Sequence, residues 1–307
     1  MYQYYKTIDT KIEKINEFQS GCWINIVSPA KDELDYISKM HGIDYGFLNA
    51  ALDTEETSRV EIEDNQTLIV IDVPVTETYD NKAVYETIPL AIITTEDCII
   101  TVCTRETSSI SSFITGNVRN VQTNLKTRFI MQILYKVSTR FLFYLKQIDR
   151  MSNNIEKELH KSLKNKELIQ LLDLEKSLVF FSTSLKANES TIKRLQRGSV
   201  VKLYEEDEEL IEDVLIETKQ AIEMSNIYSS ILSGTMDAFA SVISNNLNIV
   251  MKAMTSITIL MAVPTMIASF YGMNVTGIPV ANFWIPVGIS FVVTVVTAIL
   301  LNKKGML

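Results

Sequence analysis

The chain has 307 residues, with 29 Lys and Arg against 37 Asp and Glu, a formal net charge of −8, and 47% hydrophobic content. That acidic balance excludes the basic footprint of a nucleic-acid-binding protein and suits a surface that gathers cations. The averages conceal a division: residues before about 250 read as soluble, and the rest reads as membrane-spanning.

The first residues, MYQYYKTIDTKIEK, lack the apolar run of a signal peptide. Cys22-Trp23-Ile24-Asn25-Ile26-Val27 is a short apolar strand. Ser28-Pro29 then ends it and opens a helix through Met40, and a second helix is expected over Asp44 to Leu52. Strands follow at Arg59–Glu63, Thr67–Val73, Val84–Ile93 and Cys98–Thr104, rich in β-branched residues and parted by Asp64-Asn65, Asp80-Asn81 and Glu96-Asp97. Helices on either side of a mixed sheet predict a layered α/β domain. Neither G-x-G-x-x-G nor a P-loop occurs, and no Ser-His-Asp or Cys-His arrangement stands out, so catalysis is not expected. The cysteines, Cys22, Cys98 and Cys103, do not have zinc-knuckle spacing, and His41 and His160 are isolated, so none is expected to ligate metal.

From about Gln122 the pattern is helical. One helix is expected over Gln122 to Lys161 and another over Asn165 to Gln196, where Leu168, Leu171, Leu172, Glu175, Leu178 and Val179 keep a helical period. Gly198-Ser199 breaks the run. A third helix starts near Val201 and need not stop until Phe270, roughly 100 Å at 1.5 Å per residue. Leu215, Ile222, Tyr228, Leu232, Met236, Phe239, Ile243 and Leu247 give it an apolar face. The run Glu205-Glu206-Asp207-Glu208-Glu209, with Glu212 and Asp213, reads first as a solvated face.

Ala253 to Phe270 and Phe283 to Leu301 are uncharged apolar runs long enough to cross a membrane. Lys252, Lys303 and Lys304 flank them, and the loop between them carries no Lys or Arg, which places both ends in the cytoplasm and the loop outside. Along the first run, Asp237, Ser241, Ser244, Asn248, Met251, Thr255, Thr258, Ala262, Thr265 and Ser269 recur in alternating steps of four and three. They form one stripe of small or polar side chains at the period of a left-handed bundle. Two readings of the stripe stand: close helix packing, or the lining of a wet path.

The first run ends in Tyr271-Gly272-Met273-Asn274, directly before a second run near the C-terminus. In that position the motif resembles that of the CorA family of magnesium transport proteins. Asp237 to Thr255 is similar to the family's entry into its pore helix, Pro264 falls where its first span carries a proline, and Lys303-Lys304-Gly305-Met306-Leu307 resembles its basic tail.

The resemblance implies an α+β fold with a membrane part. Residues 1–200 would form a cytoplasmic αβα domain with a helical hairpin. Residues 201–252 would form a stalk helix, continuous with transmembrane helix 1 at 253–271. An extracellular loop at 272–282, transmembrane helix 2 at 283–301 and a basic cytoplasmic tail at 302–307 would follow, five copies making a funnel in the cell membrane. It further implies membrane-potential-driven influx of hydrated Mg2+, with Co2+ and Ni2+ as further cargoes, gated by cytoplasmic Mg2+ and using no organic cofactor.

On that reading Gly272, Met273 and Asn274 form the selectivity motif, with Gly272 letting the chain turn. Asp237, Asn248, Met251, Thr255, Thr258, Ala262, Thr265 and Ser269 line the pore, and Met251 and Met254 are candidates for a gate that closes by dewetting. Counted back from the motif without a gap, Asp213 falls on the family's regulatory aspartate. The outer loop Val275 to Asn282 departs from the family, since it has no carboxylate where many members carry acids. Two alternatives stand beside this reading: a zinc or other divalent-cation transporter of the same fold, and a two-span receptor or scaffold whose cytoplasmic domain binds a ligand.

Overall fold

The computed structural model describes residues 1–9, 11–79, 82–162, 165–198, 200–201, 203–273 and 283–306. They form two compact units, Met1–Ser233 and Gly234–Leu307.

The first unit is built on a seven-stranded mixed sheet in the order β2-β1-β3-β7-β6-β5-β4. Its strands are β1 (Tyr2–Ile8), β2 (Lys11–Ile15), β3 (Trp23–Val27), β4 (Arg59–Glu63), β5 (Gln66–Tyr79), β6 (Lys82–Thr94) and β7 (Ile99–Cys103). Only β3 and β7 run parallel; the other neighbours are antiparallel. The expected strands are present, but β5 and β6 extend beyond their expected ends and stay in register from Thr67↔Thr94 to Tyr79↔Lys82. Strands β1 and β2 were not expected. Their sequences, YQYYKTI and KIEKI, mix charge with apolar residues because β1 is half-covered and β2 is an exposed edge.

Alternation along the strands sorts residues to two faces. Ile24, Ile26, Leu68, Val70, Ala91, Ile93, Ile100 and Val102 share one core with Leu34, Ile37, Phe47 and Leu48. The last four come from α1 (Lys31–His41) and α2 (Tyr45–Ala50). Gly42, at φ +62, ends α1 in the left-handed conformation that favours glycine. On the other face the Trp23 ring is fully buried. It packs edge-on against Phe129 at 5.3 Å and Phe113 at 6.4 Å. Its indole N–H donates to Thr101 Oγ1 at 2.8 Å, and that hydroxyl donates to Asn25 Oδ1 at 2.9 Å. A buried Trp is thus accommodated by a short polar chain between two parallel strands.

Three helices cover this second face: α3 (Ser108–Ile114), α4 (Lys126–Ser162) and α5 (Asn165–Gln196). The serine-rich α3 was unexpected; Thr107 caps it, its hydroxyl accepting from the Ile110 N–H. The seam of α5 keeps Leu171 and Leu178 of the expected positions but not Leu172 or Val179. Leu172 and Val179 are 43% and 54% exposed, whereas Leu171, Leu174, Leu178, Phe181, Leu185, Asn188, Ile192 and Leu195 are buried in a regular 3–4 spacing. Asn188 within that seam holds strand β5 at Asp72, beyond the end of β4. Its amide donates to the Asp72 carbonyl and its carbonyl accepts from the Asp72 N–H, both at 2.8 Å. An Asn188→Ala change leaves two backbone groups unpaired and is expected to cost about 3 kcal/mol, read as a lower unfolding midpoint of the full-length protein in denaturant.

The third long helix, α6, runs over Glu205–Tyr271 and starts a turn later than expected. Its part in the first unit buries Ile211, Val214, Leu215, Thr218, Ala221, Ser225 and Leu232. Two of its polar members are paired: Thr218 shares a 2.8 Å hydrogen bond with Ser138, and Ser225 donates to the Leu178 carbonyl at 2.9 Å. Of the apolar face read from sequence, Leu215 and Leu232 are buried and Ile222 and Tyr228 half-covered, and the small and hydroxyl residues Thr218, Ala221 and Ser225 join them. The second unit consists of the rest of α6 and α7 (Trp284–Lys303).

Candidate functional site: the uncovered stripe of the second unit

Among the described residues two helices are long and apolar enough to cross a membrane, and only 6% of the apolar window of each is buried inside the chain. A core helix of a soluble protein would be mostly covered; these are not. From Ala238 to the end the sequence contains no Asp, Glu, His or Arg, and its only cations are Lys252, Lys303 and Lys304. Pro264 lies inside α6, where its ring nitrogen has no hydrogen to give the carbonyl one turn back.

Within this unit α6 has two distinct sides. Ser256 is buried, and Leu260, Val263, Pro264, Ile267 and Tyr271 are half-covered. Pro264, Ala268, Tyr271 and Gly272 form a groove with Phe283, Pro286, Val287, Ser290, Phe291 and Thr294 of the α7 segment. Asp237, Asn248, Met251, Thr255, Thr258, Ala262, Thr265 and Ser269 are all exposed. At about 100° per residue, the membrane part of that stripe lies roughly half a turn from the side that meets α7. The hydroxyls of Thr258 and Thr265 donate to Met254 and Met261 carbonyls one turn back, at 2.9 and 3.0 Å. Their oxygens keep acceptor capacity. Met251 and Met254 are 58% and 62% exposed.

At the far end of α6, Gly272 donates to the carbonyls of Ala268 and Ser269, and Met273 donates to that of Phe270. Gly272 has no positive φ, and a Cβ added to it would come 3.4 Å from the Ala268 oxygen. The expected role of Gly272 in letting the chain turn is therefore corrected: its backbone suits an ordinary L-residue. Met273 is 53% exposed. Asn274 and the uncharged loop to Asn282 lie outside the described residues.

In the first unit Asp213 is exposed on α6. Burial pushes the Tyr135 phenol on α4 up, and the carboxylates of Glu217 and Asp213 add to it. Within the acidic run Asp207 is 4% exposed, so this run is not wholly a solvated face. Among the described residues, no three of His, Cys, Asp or Glu gather as a metal site within the chain. Cys22, Cys98 and Cys103 are free and buried. His41 contacts Tyr4, with Nε2 3.2 Å from the phenol oxygen, and burial holds its imidazole below the usual range.

Residues 18–303 match the family described as CorA-like Mg2+ transporter protein. The chain belongs to this CorA-like family. Among its relatives is a cobalt/magnesium transport protein CorA of Methanocaldococcus jannaschii, 27% identical over 312 residues that span 97% of this chain and 95% of that one. The corresponding protein of Thermotoga maritima is 23% identical over 319 residues, covering 100% of this chain and 89% of its own length. The complete structure of the CorA magnesium transporter from M. jannaschii superposes with a TM-score of 0.82 at 25% identity, over 99% of this chain and 96% of that one. The CorA-like fold accounts for the order of parts seen here: a soluble αβ unit, a long helix and a closing apolar helix.

Sequence reasoning on this CorA-like chain passed over Ser256. Its neighbour Thr255 belongs to the stripe, whereas Ser256 faces the other way and is fully buried. A hydroxyl one step off a polar stripe was the available signal.

Proposed function

We propose that this chain conducts hydrated Mg2+ across the cell membrane, from outside to cytoplasm, through a path lined by the α6 stripe of five copies. The single observation that carries the reading is the stripe itself: small, hydroxyl- and amide-bearing, uncovered along its whole length, and opposite the side that meets α7. Such an edge in lipid is costly and in a shared wet axis is not.

Mg2+ gives up its water reluctantly, so a selective mouth recognises the hydrated ion. Asn274, with Gly272 and Met273 before it, offers amide and backbone oxygens to that water shell. Thr265, Thr258 and Thr255 carry oxygens along the axis, Ala262 and Ser269 leave room, and Asn248 and Asp237 form the inner rings. Met251 and Met254 close the path by dewetting. A divalent ion gains about 4.6 kcal/mol per 100 mV on entering a negative interior, so no pump is required. Cytoplasmic Mg2+ held between subunits by Asp213 favours the closed state, and its loss shifts the population toward the open one. No step in this scheme is catalytic.

The test is flux in proteoliposomes under an imposed potential. Mg2+ influx that Co2+ competes with and Zn2+ does not is the expected result. Zn2+ influx without Mg2+ influx would move the chain to a zinc-transporting role. Absence of any ion flux would leave a membrane-tethered receptor or scaffold.

A further inference from the structure

The last turn of α7 closes back on α6 through one hydroxyl. Gly305, at φ +64, reverses the chain after the helix, with Gly305 N–H donating to the Asn302 carbonyl and Met306 N–H to the Leu301 carbonyl. This aims the Met306 carbonyl at Ser256, whose Oγ lies 2.7 Å from it. The same Oγ lies 2.8 Å from the Lys252 carbonyl in its own helix. Ser256 is 0% exposed and Leu301 beside the turn is 8% exposed, in a unit where most side chains are uncovered.

A serine hydroxyl has a single hydrogen to donate, and here two carbonyls compete for it. We propose that Ser256 is a reversible latch, and so a positioning residue. When it donates to Met306, the end of α7 is pinned to the back of the pore-lining helix. When it donates to Lys252, the turn is free and no buried donor is left unpaired. The alternative bond is what makes release inexpensive, because breaking a buried hydrogen bond is otherwise costly mainly through the orphaned partner. Thr297 on α7 shows the contrast: its hydroxyl donates to the Val293 carbonyl one turn back, at 2.8 Å, and takes no part in the turn. The latch rests on the pore reading only for its consequence, namely that release lets α7 leave the side of α6 opposite the stripe.

The experiment uses the full-length protein in lipid nanodiscs with limiting trypsin, which cuts after Lys304 and releases the residues beyond it. Intact mass is followed with time. Ser256→Ala is expected to be trimmed about fivefold to tenfold faster than wild type, since cleavage tracks local opening. Gly305→Ala, strained at its left-handed position, is expected to speed trimming as well. The double variant should be no faster than the faster single one, because both act on one contact. Thr297→Ala should match wild type. Cutting within residues 1–233 serves as the internal reference and should not change. Trimming of Ser256→Ala at the wild-type rate, or additive effects in the double variant, would overturn the latch. Neither readout depends on ion flux, so failure of the latch and failure of the transport reading are distinguishable.

Discussion

An Asn274→Ala protein is expected to lose growth rescue of a magnesium-transport-deficient strain, with Mg2+ flux in proteoliposomes reduced by about two orders of magnitude. On the proposed reading each copy of the amide would offer the hydrated ion hydrogen bonds worth about 1 kcal/mol apiece, with several copies at one mouth. The outer loop supplies no compensating charge, since Val275 to Asn282 contains no carboxylate. On the proposed reading Asn274 would gather ions without an electrostatic funnel. Gly272→Ala makes a useful partner. Among the described residues a methyl at that position meets the Ala268 and Ser269 carbonyls, at 3.4 and 3.5 Å, and it requires no change of φ. The substitution should fold, so any loss of flux reports on space at the mouth between copies. Equal rescue by both variants would refute the assignment of the mouth.

The second large effect is on stability. Trp23→Ala is expected to destabilise the protein by about 3–5 kcal/mol and to lower its melting temperature by roughly 10 °C. Trp23 is fully buried between Tyr5, Phe113 and Phe129, and its removal also strips Thr101 of a donor. The cavity would lie where β3 and β7, the sole parallel pair, are packed under α3 and α4. Trp23→Phe keeps most of the volume and loses the indole N–H, so it should cost much less. Denaturant unfolding of the three proteins, followed by far-UV circular dichroism, checks the order. A Trp23→Ala midpoint equal to wild type would show that the site collapses without loss.

The layout was legible where residue type and period agree. Arg59–Glu63 and Ile99–Cys103 carry alternating or continuous apolar runs between turn residues, and two uncharged runs stand apart from everything before them. Legibility failed where polar residues do structural work. Strands β1 and β2 mix charge with apolar residues because they flank the sheet's exposed edge, and α3 gives no apolar period because serines hold two of its buried positions, Ser109 and Ser112, the latter bonding the Ser108 and Ser109 carbonyls. The expected α5 period named both members of the adjacent apolar pairs Leu171-Leu172 and Leu178-Val179, and sequence alone does not say that Leu171 and Leu178 are the ones that turn inward. For the stripe, spacing disclosed the common face but not whether α7 covers it. That required seeing Ser256, Leu260 and Ile267 on the opposite side.

The stretch beyond Asp237 holds no carboxylate, imidazole or thiol. Beyond Asp237 the proposed conduit would therefore carry no side chain of a type that titrates near neutrality. Any sensitivity of conduction to acidity would then have to originate at Asp237 or in the first unit, where His41 sits against Tyr4 and Phe18. The spanning helices, uncharged between Lys252 and Lys303, would feel voltage only through the ion they pass, leaving the sensing of solution chemistry to the part of the chain built to be wet.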